Sequence, residues 1–216
     1  MDYDFHNEVR ISVGNILLSG ELIIPVNSHG VIVFAHGSGS SRFSVRNQSV
    51  AAFLRNKHFG TLLFDLLTPV EDRRYLNRFD IELLTKRLIG ATEWLEHFPQ
   101  VGDRTIGYFG ASTGAAAALK AAAYLPQVGA VVSRGGRPDL AMNSLPKVDA
   151  PTLLIVGSLD YDVLEMNRAA FKALRCEKKL AVIEGATHLF EESGTLEQVA
   201  EQASNWFEKY LLKVKV

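Results

Sequence analysis

The chain has 216 residues, 47% of them hydrophobic, and its 23 basic and 24 acidic side chains leave a formal net charge of -1. That length and apolar content suit one sizeable core, so a single domain over 1–216 is expected, and the balanced charge offers no field for nucleic acid or an anionic membrane surface. One cysteine, Cys176, excludes an internal disulfide, and the expected partner is a small neutral or modestly charged molecule.

The start, Met1 to Glu8, lacks the basic flank and apolar run of a secretory leader. No apolar stretch reaches the roughly 20 residues that cross a bilayer; the alanine-rich run after Gly114 is broken by Lys120 and ended by Pro126. A cytoplasmic location is expected, and the sequon Asn47-Gln48-Ser49 means nothing without export. Val9 to Val13 and Ile16 to Ile24 are β-rich and joined by Gly14-Asn15, which predicts an antiparallel hairpin. Continuous apolar runs follow at Val31 to Ala35, Thr61 to Phe64, Thr105 to Phe109, Ala130 to Val132, Thr152 to Val156 and Leu180 to Ile183.

Helical patterns lie between and after these runs, at Val45 to Asn56, Asp80 to His97, Thr113 to Tyr124, Val163 to Leu174 and Leu196 to Leu211. The alternation predicts an α/β fold: a mostly parallel eight-stranded sheet with the hairpin at its start and helices on both faces. A ligand would sit beyond the carboxyl ends of the strands. Only Ser133 to Ala150 separates two of the predicted strands, with Pro146 limiting any helix there. That is too short for a cap domain, so an open, shallow site that favours short acyl chains is expected.

Gly110-Ala111-Ser112-Thr113-Gly114 follows a predicted strand and opens a small-residue helix. This is the pattern and context of a nucleophile elbow, a tight turn in which side chains two positions either side of the serine would collide. Ser112 is the candidate nucleophile. A serine hydroxyl needs an adjacent base, and the chain order serine, acid, histidine points to His188, which alone of the six histidines comes late. The acid should follow the strand ending at Val156. Asp160 is assigned that role, to fix the His188 tautomer, while Asp162 is expected to cap the next helix.

An oxyanion needs donors in place, and those expected are the backbone N–H groups of Thr113 and, from the loop His36-Gly37-Ser38-Gly39-Ser40-Ser41-Arg42, Ser38. The same loop lacks the last glycine of a dinucleotide fingerprint and the lysine of a Walker motif, so nucleotide binding is not expected. Arg134, in Arg134-Gly135-Gly136-Arg137, is the candidate for substrate contact; the roles of Arg73, Arg74, Arg78 and Arg137 stay open. No His/Cys/Asp/Glu spacing suggests a metal, and no cofactor is expected.

Taken together, the hairpin, the His36 to Gly39 loop, the Gly110 to Gly114 elbow, Asp160 and His188 resemble the small α/β-hydrolases grouped with dienelactone hydrolase, over nearly the whole chain. The resemblance implies eight strands, with the nucleophile after the fifth, the acid after the seventh and the histidine after the eighth. It also implies hydrolysis of an ester, thioester or lactone through an acyl-enzyme. Dienelactone hydrolase proper uses a cysteine nucleophile, so Ser112 points toward the esterase-like members. An acyltransferase using the same triad and a non-enzymatic ligand-binding module on the same fold are the alternatives.

Overall fold

The structure, a computed structural model, describes residues 2–212. Strands β1 (Tyr3–Val13) and β2 (Ile16–Pro25) form the hairpin, turning at Gly14, whose φ of +58° suits the one residue without a Cβ. Then come β3 (Gly30–Ala35), α1 (Val45–Asn56), β4 (Gly60–Phe64), α2 (Pro69–Asp72) and α3 (Ile81–Glu96). The second half holds β5 (Thr105–Ala111), α4 (Thr113–Ala122), β6 (Ala130–Arg134), β7 (Thr152–Gly157), α5 (Tyr161–Ala173), β8 (Lys178–Ile183) and α6 (Thr195–Leu211). The eight strands form one sheet in the order β1-β2-β4-β3-β5-β6-β7-β8. Antiparallel pairing is confined to β1–β2 and β2–β4; every pairing from β4 through β8 is parallel.

Two apolar layers follow from that covering of both faces. Leu84, Leu88 and Leu95 of α3, the alanines of α4 and Ala170 of α5 pack with Val31, Val33, Tyr108 and Leu154 on one face. On the other, Val50 and Leu54 of α1 and Ala203 and Phe207 of α6 pack with Ile32, Phe34, Phe109 and Ile155. Neighbouring residues of β3 thus feed opposite layers, and all six of its residues are buried, which is why these strands read as continuous apolar runs rather than alternating ones.

The expected strands and helices are present with their ends adjusted by a few residues, and two segments differ. β1 begins at Tyr3 rather than Val9, because its mostly exposed first half carries no apolar alternation to read. The stretch after β4 is not a plain loop. Thr68 and Glu71 form a reciprocal capping box on the single turn of α2, and a 3-10 helix follows at Tyr75–Phe79. A bidentate Arg78–Asp72 pair and an Arg87–Glu71 pair pin this segment down. Between β6 and β7 lie only two 3-10 turns, Pro138–Ala141 and Leu145–Lys147.

Candidate active site

Three βα connections meet at the carboxyl edge of the sheet. Ser112 stands between β5 and α4 at φ +50° and ψ −122°, a backbone conformation that L-residues rarely adopt. The surroundings make this strain unavoidable. A Cβ on Gly110 would lie 2.5 Å from Ala115 Cα, and one on Gly114 would lie 2.2 Å from the Ala35 carbonyl oxygen. Strand end, turn and helix are therefore in backbone contact, and α4, with nine of its ten residues buried, closes directly on the sheet. The result lifts the Ser112 side chain to a half-buried position at the N-terminus of α4.

Asp160 ends the turn after β7, and its carboxylate accepts a hydrogen bond from His188 Nδ1 at 2.6 Å. With the proton on Nδ1, the lone pair of Nε2 is free to accept another. His188 lies on the loop between β8 and α6, and several contacts hold that loop against the Asp160 turn. Ser158 N–H donates to Ile183 O, Leu159 N–H to Ala186 O, and Gly185 N–H to Ser158 Oγ. A Cβ on Gly157 would lie 2.2 Å from Ala186 O, so the two turns touch backbone to backbone. Glu192 braces the loop from the far side by accepting from both Thr187 N–H and Thr187 Oγ1. The side chains of His188 and Asp160 are 40% and 14% exposed, which leaves the imidazole open to a substrate and its acid partner sheltered.

A strap after β6 runs between serine and histidine. Ser112 N–H donates to Arg134 O, Arg137 N–H donates to Ser112 O, and Gly135, at φ +50°, packs so that a Cβ would come 3.2 Å from His188 O and 3.5 Å from His188 Cε1. Asn167 of α5 donates to Gly136 O and fixes the strap from behind. Sequence reading singled out this run for its arginines; its glycines are what the site uses. Positive φ at a glycine leaves no trace in composition or periodicity, so no sequence signal marked Gly135 beyond its being a glycine after a strand.

The β3–α1 loop forms the remaining wall. A Cβ on Gly37 would sit 3.1 Å from Ser112 Cβ, and His36 anchors the loop, its Nε2 accepting from Leu66 N–H and its Nδ1 facing Gly37 O. Burial pushes His36 below the ordinary histidine range, in keeping with a neutral ring in that double bond. Ser38 N–H does not point into free space: it donates to Thr113 Oγ1 at 2.9 Å. Beside this turn a hollow of about 230 Å³ lies between Ser40, Ser41 and Phe43 on one side and Asp65, Leu67 and Pro69 on the other.

Two expectations need revision. Asp162 does not cap α5, which begins at Tyr161 with Asp160 in the cap position and Asp162 exposed in the first turn. Arg134 is not on the rim. Strand alternation sends Ser133 toward α4 and Arg134 to the opposite face, where its Nη2 donates to Asn47 Oδ1 at 3.1 Å and its guanidinium lies 5.9 Å from the Phe190 ring centroid. It is 6% exposed, and burial, with Arg46 nearby, pushes its pKa down to about 10. Of the other arginines, Arg42 pairs with Asp65, Arg78 with Asp72 and Arg137 with Asp139, while Arg73 and Arg74 are exposed.

Residues 55–212 match the model of the dienelactone hydrolase family. A dienelactone hydrolase from Anabaena variabilis is 52% identical and superposes with a TM-score of 0.94, over 98% of this chain and 100% of that one. Est1E from Butyrivibrio proteoclasticus shares the fold, with a TM-score of 0.81 and 17% identity over 95% of this chain and 99% of that one. Two curated proteins from strains of Mycobacterium tuberculosis, provisionally named phosphoribosyl transferases, are 56% identical over 94% of this chain but only 46% of their own length. The chain thus spans about half the length of the curated relatives it matches.

Proposed function

The chain belongs to the dienelactone hydrolase family, and on that premise we propose that it hydrolyses a small carboxylic ester, thioester or lactone through an acyl-enzyme on Ser112, without a cofactor. The observation that carries this reading is the His188–Asp160 hydrogen bond on the loop that faces a strained serine across the Gly135 strap. In the first step Ser112 Oγ attacks the carbonyl carbon while its proton passes to His188 Nε2, and Asp160 holds the imidazolium that results. The carbonyl oxygen becomes an oxyanion in front of Thr113 N–H. Collapse expels the alcohol or thiol, which takes the proton from His188; water then repeats the sequence and frees the acid.

Hydrolysis rather than transfer to another acceptor is favoured by the open site, since only two 3-10 turns occupy the place where a lid would exclude water. The transferase name belongs to proteins about twice as long. Arg42, on the β3–α1 loop, and Arg78 are both held by carboxylates, which favours a neutral acyl group over an anionic one.

The test is a series of p-nitrophenyl esters from acetate to decanoate, assayed below micelle-forming concentrations. The expected result is a kcat/KM that is highest for acetate or butyrate, falls at eight carbons and beyond, and drops by orders of magnitude in Ser112→Ala. Undiminished turnover in that variant, or none by the native protein across an ester, thioester and lactone panel, would contradict the reading.

A further inference from the structure

The Ser38 N–H is the group from which a second oxyanion donor would be expected, and it is already committed to Thr113 Oγ1 at 2.9 Å. A hydroxyl oxygen that accepts a hydrogen bond still has one proton to give. Thr113 is 2% exposed, too little for bulk solvent to hydrate the hydroxyl freely. Nor does the helix take that proton. Thr92, within α3, donates its hydroxyl to Leu88 O at 2.8 Å, but Thr113 is the first residue of α4 and has no preceding turn to offer a carbonyl. Among the described residues no acceptor receives the Thr113 hydroxyl, and a buried donor left unmade is costly.

The place of that hydroxyl supplies the missing acceptor. Thr113 directly follows the nucleophile, and its Oγ1 bridges to a loop whose Gly37 is in contact with Ser112. Oγ1 therefore lies at the junction of elbow and loop, beside the Thr113 N–H, where the carbonyl oxygen of an ester attacked by Ser112 would come to rest. We propose that the Thr113 hydroxyl is an oxyanion donor, that Thr113 stabilises the tetrahedral intermediate with both its N–H and its O–H, and that the Ser38 N–H aims the hydroxyl by occupying its lone pair. The inference rests on Ser112 being the nucleophile. Donors fixed before the reaction need no reorganisation as charge develops, and a hydroxyl clamped from behind by an amide meets that condition.

The two possible donors predict opposite results. Thr113→Val keeps the shape of the side chain, removes the hydroxyl and releases the Ser38 N–H. If the hydroxyl is the donor, kcat for p-nitrophenyl acetate falls by about 10²–10³-fold with KM changed only a few-fold, and Thr113→Ser recovers most of the rate. If the Ser38 N–H is the donor, its release holds or raises kcat, and the proposal is overturned. A second readout separates a lost donor from a disturbed fold. Sulfur is a weak acceptor, so the native enzyme should favour an oxo-ester over the matching thionoester, and Thr113→Val should narrow that preference. An equal loss on both substrates overturns the proposal. Ser112→Ala run alongside keeps the two ideas apart: turnover that survives in it defeats Ser112 as the nucleophile, whereas turnover that vanishes in it but persists in Thr113→Val defeats only the hydroxyl.

Discussion

Asp160 occupies the position that would cap α5, yet its side chain makes no cap bond, because the carboxylate is turned to His188. A capping bond is worth about 1 kcal/mol, and the exchange places the acid where the helix N-terminus favours negative charge. Asp160→Asn should therefore lower kcat on the order of 10⁴-fold, since an amide can present its N–H to Nδ1 and trap the wrong tautomer. Asp162→Asn should leave kcat within about twofold and cost at most about 1 kcal/mol of helix stabilisation. Steady-state kinetics on the pair decide it, and the reverse ranking would move the acid to Asp162.

His36 gives a second test, of stability rather than rate. Burial depresses its pKa, outweighing the opposing pull of the Gly37 carbonyl, Asp65 and Asp72. The unfolded chain takes up a proton as pH falls below about 6.5 while the folded protein does not, so stability declines as pH drops from there toward the depressed folded value. His36→Gln, whose amide oxygen can still accept from Leu66 N–H but binds no proton, should flatten that decline in urea midpoints measured between pH 7.5 and 5. An unchanged slope would show that His36 is not the group responsible.

The approach of α4 to the sheet is the structural condition for the serine turn, and it can be separated from backbone strain. Gly114 has no positive φ, but a Cβ there would meet two carbonyl oxygens, Ala35 O at 2.2 Å and His36 O at 2.4 Å. Gly14 is the converse: φ +58° with nothing within 4 Å of its Cβ position. Gly114→Ala should thus cost about 3 kcal/mol or more, because backbone must move, whereas Gly14→Ala costs about 1 kcal/mol in left-handed strain. Equal shifts of Tm in the two variants would mean that α4 can yield.

Those contacts also explain what could be read from the residues alone. β3 and β7 were legible because every residue in them is buried and apolar runs have no other simple reading. Ser112, Asp160 and His188 were legible because their order and their positions after strands are constrained by the turn chemistry. α2 escaped because one turn has no period, although Thr68 and Glu71 carried its capping signal. The direction of Arg134 and the partner of the Ser38 N–H escaped for a different reason: Ser38 and Thr113 are 75 residues apart, and only the packed sheet brings them together.

Viewed as one body, the sheet sends Ser112, Asp160 and His188 to the carboxyl edge from β5, β7 and β8, with β3 and β6 supplying the walls between them. Surface hollows of about 400 Å³ beside Trp94 and about 420 Å³ beside Phe171 lie elsewhere, and neither these nor the hollow of about 230 Å³ beside Ser40 borders Ser112, Asp160 or His188. Topology rather than cavity size is therefore what brings these three side chains to one edge. No helix among the described residues is long and apolar enough to cross a membrane.

The most direct measurement of the central claim is covalent labelling with a fluorophosphonate, followed by digestion and mass mapping. The account predicts one adduct, on Ser112 within the peptide that carries Gly110 to Gly114, lost in Ser112→Ala and slowed in Asp160→Asn. A label on another residue, or ester turnover by a native protein that takes no label at Ser112, would contradict it.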